Sequence, residues 1–370
     1  MHFKAVFVTL FFLISVGSAS AIPGGEVQIT FQSGTSPSWS GDGSKIAYTS
    51  RQSGSLDIWT MNADGSGAVQ LTSDIYLDET PTWSRDGRMI AFVSERGGNS
   101  DIWIMGADGG NKIRLTSGAE SELSPSISPS GEKIAYMSGT YPDYDIYVMN
   151  ADGSGKTRLT SGEGGEWTPI FSPNGEKIAY MAAKSGSYQI RVMNMDGTGD
   201  EPLVADTYWK GQLSWSRDGT KIAFVSRASS NYDIYTMNAD GTGVRQLTKD
   251  RFWQTTPSWS PTGDKIAYTS DESGIQEIWV MEMENLAPEV LLEPAPAPLP
   301  VPAAAMPSKT TSTVIKPQKT IELETQKSSI AIEDYLNWGM GITLFLAFFE
   351  LSKRVAIRKR KPVFRPFLNI

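Results

Sequence analysis

Pro81-Thr82-Trp83-Ser84, Met89-Ile90-Ala91-Phe92-Val93-Ser94, Asp101-Ile102-Trp103-Ile104-Met105 and Ile113-Arg114-Leu115-Thr116 are four short runs of strand-forming residues that follow one another along the chain. Turn formers separate them. Arg85-Asp86-Gly87 lies between the first and second runs, and Ala107-Asp108-Gly109-Gly110 between the third and fourth, with glycines that accept the positive φ of tight hairpins. The stretch therefore reads as a four-stranded antiparallel sheet, strands A to D. Strand B offers Ile90 and Phe92 to one side and Ala91 and Val93 to the other, so both faces must be covered.

The cover comes from repetition. The isoleucine of strand B recurs at Ile46, Ile90, Ile134, Ile178, Ile222 and Ile266, always 44 residues apart. Trp39, Trp83, Ile127, Phe171, Trp215 and Trp259 keep the same step upstream, and Met61, Met105, Met149, Met193, Met237 and Met281 keep it downstream. Repeats of about 40 to 45 residues with four strands each are the signature of propeller blades, whose radial stacking buries both faces of every sheet. The expected fold is all-β, a six-bladed β-propeller of four-stranded antiparallel blades over residues 22–293; a solenoid is the alternative stacking. Six blades have seven candidate outer strands, counting Val27–Thr30 and Val290–Leu292 at the two ends, and the amino-terminal one is expected to close the ring.

Written as a consensus, the repeat is Pro-Ser-Trp-Ser-x-Asp/Thr-Gly-x-Lys-Ile-Ala-Tyr-x-Ser, then Asp-Ile-Trp/Tyr-x-Met-Asn-Ala-Asp-Gly-Ser/Thr-Gly, then Gln/Arg-Leu-Thr. It resembles the WD-like repeat of TolB-type propellers and covers roughly residues 26–293, with no counterpart of the amino-terminal α/β domain of TolB. The resemblance implies the propeller fold; relatives of this type also occur joined to hydrolase domains or as polysaccharide lyases. Copy four departs from the pattern with Gln189-Ile190-Arg191, and Gln212-Leu213 stands where most copies have Ser/Thr-Pro.

The chain ends read differently from the repeats. An uncharged apolar run from Ala5 to Val16 followed by Ala19-Ser20-Ala21 has the layout of a secretory signal peptide at 1–21, with an uncleaved anchor as the alternative. Residues 294–334 are rich first in proline and alanine and then in Thr, Ser and Lys, a composition for an extended stalk. A mostly apolar segment at 335–352 precedes seven cations in 353–370, the positive-inside pattern of a single carboxyl-terminal membrane helix with a cytoplasmic tail. The segment is short for a span, so an interfacial helix or a removed sorting signal is the alternative.

Composition excludes several chemistries. The chain has no cysteine, and its single histidine, His2, falls in the leader, so Ser-His-Asp and Cys-His catalysis, cysteine metal sites and disulfides are excluded from the mature chain. The net charge is -8; setting aside Lys4 and the seven tail cations leaves -16 on residues 22–352. Such a surface repels phosphate backbones, so no nucleic acid is expected.

In an antiparallel blade the A–B and C–D hairpins share one face of the disc, and the B–C and D–A loops share the other. The first set is nearly uniform (Asp42-Gly43, Asp86-Gly87, Asp218-Gly219), as a structural role requires, whereas the second varies, as recognition requires. Residues in and beside the D–A loops that the repeat does not explain are Tyr76, Asp78, Glu79, Glu122, Glu166, Trp167, Tyr208, Trp209, Lys210, Phe252 and Trp253. Rings beside carboxylates suit a clamped protein or peptide segment; carbohydrate stacking is the competing reading, and a plugged channel mouth the structural one. No cofactor is expected, with calcium held by Glu122 and Glu166 the one possibility; the Asp-Gly turns lack the spacing of calcium loops. Asp57, Asp101, Asp145 and Asp233, which open strand C, are expected to bond neighbouring backbone. A glycosidase using two of Asp78, Glu79, Glu122 and Glu166 is the enzymatic alternative to a non-catalytic scaffold.

Overall fold

Alternation along strand B fixes how the blades stack. Ile46, Ile90, Ile134, Ile178, Ile222 and Ile266 are all buried, and each stands opposite the methionine of its own strand C, as in Ile90 with Met105. The next residue is alanine, small enough to receive the strand A aromatic of the following blade. Ala47 packs with Trp83, Ala135 with Phe171, Ala223 with Trp259, and Ala267 with Trp39. A larger residue there would overfill a dry seam at a cost of about 1–3 kcal/mol.

The computed structural model describes residues 21–22, 25–162, 164–184 and 186–283. Strand A runs Thr35–Trp39, Asp78–Trp83, Ser121–Ile127, Glu166–Phe171, Lys210–Trp215 and Gln254–Trp259 in blades 1 to 6. Each pairs with strand B of its own sheet, which pairs with strand C, giving six antiparallel sheets. Strands A of successive blades touch all the way round, including blade 6 against blade 1, so the ring is closed. It is an all-β six-bladed propeller.

Closure uses the amino-terminal strand. Glu26–Gln28 pairs antiparallel with strand C of blade 6, Glu277–Glu282, with Val27 opposite Val280. Strand D is two residues long in blades 1, 2, 3 and 5, but Glu201–Asp206 gives blade 4 a six-residue outer strand. Every strand A also carries a bulge, centred on a left-handed residue at Ser36, Thr80, Ser124, Thr168, Gln212 or Thr256, with φ between 48° and 53°.

The signal, the carboxyl-terminal stalk, anchor and tail, and the alternative closing strand at 290–292 lie outside the described residues. Among the described residues no helix is long and apolar enough to cross a membrane.

Candidate functional site

The A–B and C–D hairpins are self-sufficient. In blade 1, Asp42 Oδ1 accepts from Ser40 Oγ at 2.6 Å and from the Ser44 amide at 3.0 Å, which holds its carboxyl down to about 2. Asp86 and Asp218 repeat these contacts.

Within the blades, strand D is clamped to strand C by a second repeated device. Ile58 N donates to Thr72 Oγ1 at 2.9 Å, and Thr72 Oγ1 donates to Asp57 Oδ1 at 3.2 Å. Thr116 and Thr248 do the same with Asp101 and Asp233, and Thr160 Oγ1 accepts from Ile146 N. In blade 6 the closing strand supplies the threonine: Thr30 Oγ1 accepts from Ile278 N at 2.8 Å and donates to Glu277. Asp57, Asp101 and Asp233 thus engage the hydroxyl that caps the following amide, rather than backbone directly, whereas Asp145 ion-pairs with Arg158 at 2.7 Å and Thr160 donates to Glu166 instead. Blade 4 lacks the clamp, having Val204 and Gln189, and Lys210 of blade 5 ion-pairs with its Asp206.

Strand A opens at the D–A loop; six residues past the clamp position stand Asp78, Glu166, Lys210 and Gln254, first in the strand in blades 2, 4, 5 and 6, and Glu122, second in the strand in blade 3. All five are buried. Asp78 Oδ2 accepts from Arg96 at 2.5 Å, while Arg96 also reaches Asp74 and lies 4.9 Å over the Trp103 ring. Burial nonetheless pushes the Asp78 carboxyl up to about 6, with Ser94 and Arg96 opposing. Burial raises Glu122 and Glu166 to about 7 each, and the neighbouring Asp101 and Asp145 add to this. Glu79, fully enclosed and near Glu95, is pushed up to about 8. For Lys210 burial works in the opposite direction and lowers the ammonium, with Asp206 resisting. Asp78, Glu122 and Glu166 are therefore distributed one to a seam. Among the described residues no group of three or more acidic or histidine side chains is arranged to hold a metal.

The aromatic residues gather over blades 5 and 6. Trp209 and Trp253 both meet Tyr232 edge-on, with centroids 5.4 and 5.6 Å from it. Arg227 lies 5.2 Å over Tyr232, and Arg251 lies 5.0 Å over Phe252. Trp253 and Tyr208 are exposed, Phe252 and Trp209 half-buried. Trp167 is also half-buried and packs against the core of blades 3 and 4, away from this cluster. Tyr76 is exposed beside Ile75, the most open large apolar side chain described, at 87%.

These loops are pinned. Phe252 N and Gln254 Nε2 both donate to Asp250 Oδ1, and Trp253 N donates to Asp271 Oδ1 at 2.8 Å. Asn231 Nδ2 donates to the carbonyls of Asp250 and Phe252. Asn99 and Ser55, at the equivalent place in blades 2 and 1, likewise hold the loop to the next blade. Sequence reasoning missed Arg227 and Tyr232, because they lie on a B–C loop; the signal was that Tyr232 precedes Asp233 where copy one has Leu56 and copy two Ser100. Six of the ten exposed large apolar side chains described belong to D–A or B–C loops: Phe31, Ile75, Tyr76, Tyr208, Trp253 and Ile275.

Comparison with solved structures gives the same architecture. A TolB protein from Agrobacterium tumefaciens superposes with a TM-score of 0.57 at 24% identity, over 68% of this chain and 91% of that one. TolB from Acinetobacter baumannii gives 0.56 at 22% identity, over 65% and 64% of the two chains. An oligogalacturonate lyase from Vibrio parahaemolyticus gives 0.51 at 12% identity, over 70% and 93%, a likeness of fold alone. Among curated proteins, the Tol-Pal system protein TolB of Anaeromyxobacter dehalogenans (strain 2CP-C) is 52% identical over 40 residues, which is 11% of this chain and only 9% of that relative. The TolB beta propeller domain model matches residues 26–197 and 140–291, most of the chain and every blade, so this protein belongs to the TolB β-propeller domain family.

Proposed function

We propose that the protein is a non-catalytic extracytoplasmic scaffold that binds a protein or peptide partner on the face built from its D–A and B–C loops. The supporting observation is the contrast between the two faces. One consists of repeated, internally satisfied Asp-Gly turns, whereas the other presents pinned, non-repeating loops with Tyr208, Trp253 and Ile75 exposed. Aromatic anchors on rigid loops lose little conformational entropy on binding and dominate interface energetics. Non-catalysis is favoured by the separate positions of Asp78, Glu122 and Glu166, each buried beside its own partner, Arg96, Ser138 and Thr160 in turn, rather than converging on one open cleft. The signal-like leader places the propeller outside the cytoplasm, and the proline-rich stalk and apolar carboxyl-terminal segment hold it near a membrane.

Capture of envelope proteins on the full chain tests this reading. Trp253→Ala combined with Tyr208→Ala should lose the captured protein while leaving the thermal midpoint within a degree or two. Retained capture, or binding of immobilised glycans in place of protein, would overturn it.

A further inference from the structure

In the A–B hairpins, the residue after the serine that follows strand A is Gly41, Arg85, Pro129, Pro173, Arg217 and Pro261 in blades 1 to 6. Proline at this place packs the rim. A Cβ at the turn glycine of the next hairpin would stand 3.4 Å from Pro129 Cδ at Gly175, 3.8 Å from Pro173 Cδ at Gly219 and 3.6 Å from Pro261 Cδ at Gly43, so each ring lies on its neighbour. The arginines do not follow suit. Nothing stands within 4 Å of that point at Gly131, in the hairpin after Arg85, or at Gly263, in the hairpin after Arg217.

Arg85 turns inward instead. Its Nη1 donates to the Pro173 carbonyl at 2.9 Å, a bond that runs from blade 2 to blade 4 and skips blade 3, so the guanidinium crosses the inner side of the closed ring. Pro173 is the residue that rests on Gly219, two positions past Arg217. The Arg85 guanidinium is thereby delivered beside the hairpin that carries Arg217, although the two arginines start three repeats apart on opposite sides of the ring. Arg217 makes no hydrogen bond or ion pair with any described residue, and burial together with the like charge of Arg85 lowers its guanidinium from the ordinary value. The adjacent acids do not neutralise the pair. Asp86 and Asp218 are spent on Ser84, Ser216 and the hairpin amides, and neither pairs with Arg85 or Arg217.

We propose that Arg85 and Arg217 form an oxyanion site at the channel mouth on the A–B hairpin face, taking a carboxylate or a phosphate between two guanidinium forks. Each guanidinium presents parallel N–H donors that match two oxygens of such a group, and like charges that repel one another both attract an anion placed between them. Arg217 brings all its donors and Arg85 those not given to Pro173. Both side chains are exposed, so an anion in solution reaches them directly. The site lies on the face opposite the recognition loops, and it stands or falls independently of the scaffold reading.

Titration calorimetry of the full chain with sodium phosphate, sodium malonate and sodium chloride at one ionic strength tests the site. Phosphate, malonate or both should give a saturable heat and chloride none; phosphate alone would mark a phosphoryl ligand, malonate alone a carboxylate. Arg217→Gln should weaken binding about tenfold, the loss expected when hydrogen bonds to a charged group are removed, and Arg85→Gln by a similar factor. Arg217→Lys, which keeps the charge but not the fork, should fall between wild type and Arg217→Gln. Because Arg217 bonds no described neighbour and repels Arg85, the thermal midpoint of Arg217→Gln in chloride should not fall below that of the wild type. Phosphate also stabilises proteins by exclusion from their surface, so a midpoint shift shared by wild type and both glutamine variants counts against the site. Chloride heats equal to those of the oxyanions, unchanged affinity in either glutamine variant, or no saturable heat with any anion each overturns the proposal.

Discussion

Arg191 shows what one irregular residue can do to a repeat. It replaces the strand C aromatic of the other blades, and its guanidinium forms a fork on Asp200 with Nε and Nη2 at 2.9 and 2.7 Å from the two carboxylate oxygens. Tyr180 Oη donates to the same carboxylate at 2.7 Å. Arg191 is buried, so Asp200→Ala leaves a charge with no counter-ion and should cost about 2–4 kcal/mol in denaturant unfolding. The departure at Gln189-Ile190-Arg191 was legible as a departure, but not its meaning, because Asp200 lies at a position that has no counterpart in the 44-residue consensus. Clamp threonines offer the complementary case. Thr116→Val keeps the shape but orphans Ile102 N, so a loss of about 1–3 kcal/mol is expected; a change within a few tenths would mean the hydroxyl is dispensable.

At the scale of elements, the amino-terminal strand holds the ring shut. Ile29 N donates to Ile278 O at 2.9 Å just as Leu71 N donates to Ile58 O at 2.8 Å, so Ile29-Thr30 stands in for the Leu-Thr of the other outer strands. Period counting alone left this strand open, because Thr30 lies two residues out of phase with the 44-residue step that links Thr72, Thr116, Thr160 and Thr248. The pairing also explains Gly65: its φ is 85°, and a Cβ there would sit 2.4 Å from the Ile29 carbonyl oxygen. Gly65→Ala should therefore destabilise, and deletion of residues 22–32 should lower stability by about 5 kcal/mol or more through lost apolar burial and an unpaired strand C. A deletion that melts like the intact chain would show that another segment closes blade 6.

For the whole molecule, the blade count, the strand order and the division into two faces were all readable from the spacing of Ile90 and its copies, since packing repeats wherever the sequence does. Less of the site was readable. Trp167 and Trp209 proved half-buried, and the tyrosine that links Trp209 to Trp253 lies on a different loop, because contacts across a seam join residues without any fixed spacing. The buried acids give the molecule a pH signature. Asp78, Glu79, Glu122 and Glu166 have folded pKa values raised by burial to about 6, 8, 7 and 7. The folded state therefore keeps protons that the unfolded chain releases above about pH 4–4.5. Stability from these groups is fully present below that range and declines as pH rises toward 8, by at most about 1.4 kcal/mol per unit and per group. The turn aspartates, such as Asp42, are lowered and oppose this only at more acid pH. Thermal midpoints should accordingly be higher at pH 5 than at pH 8, with the difference reduced in Glu79→Gln; a midpoint that rises toward pH 8 would mean these carboxyls are ionised and satisfied.

Affinity of the captured partner for two sets of variants tests the scaffold most directly. Trp253→Ala and Tyr208→Ala remove exposed rings from the loop face, whereas Met195→Ala and Val244→Ala remove exposed apolar groups from the opposite face. The loop-face pair should weaken binding about tenfold or more, as loss of interface anchors does, with the opposite-face pair unchanged. Equal losses from both faces, or loss confined to Met195 and Val244, would contradict the assignment of recognition to the D–A and B–C loops.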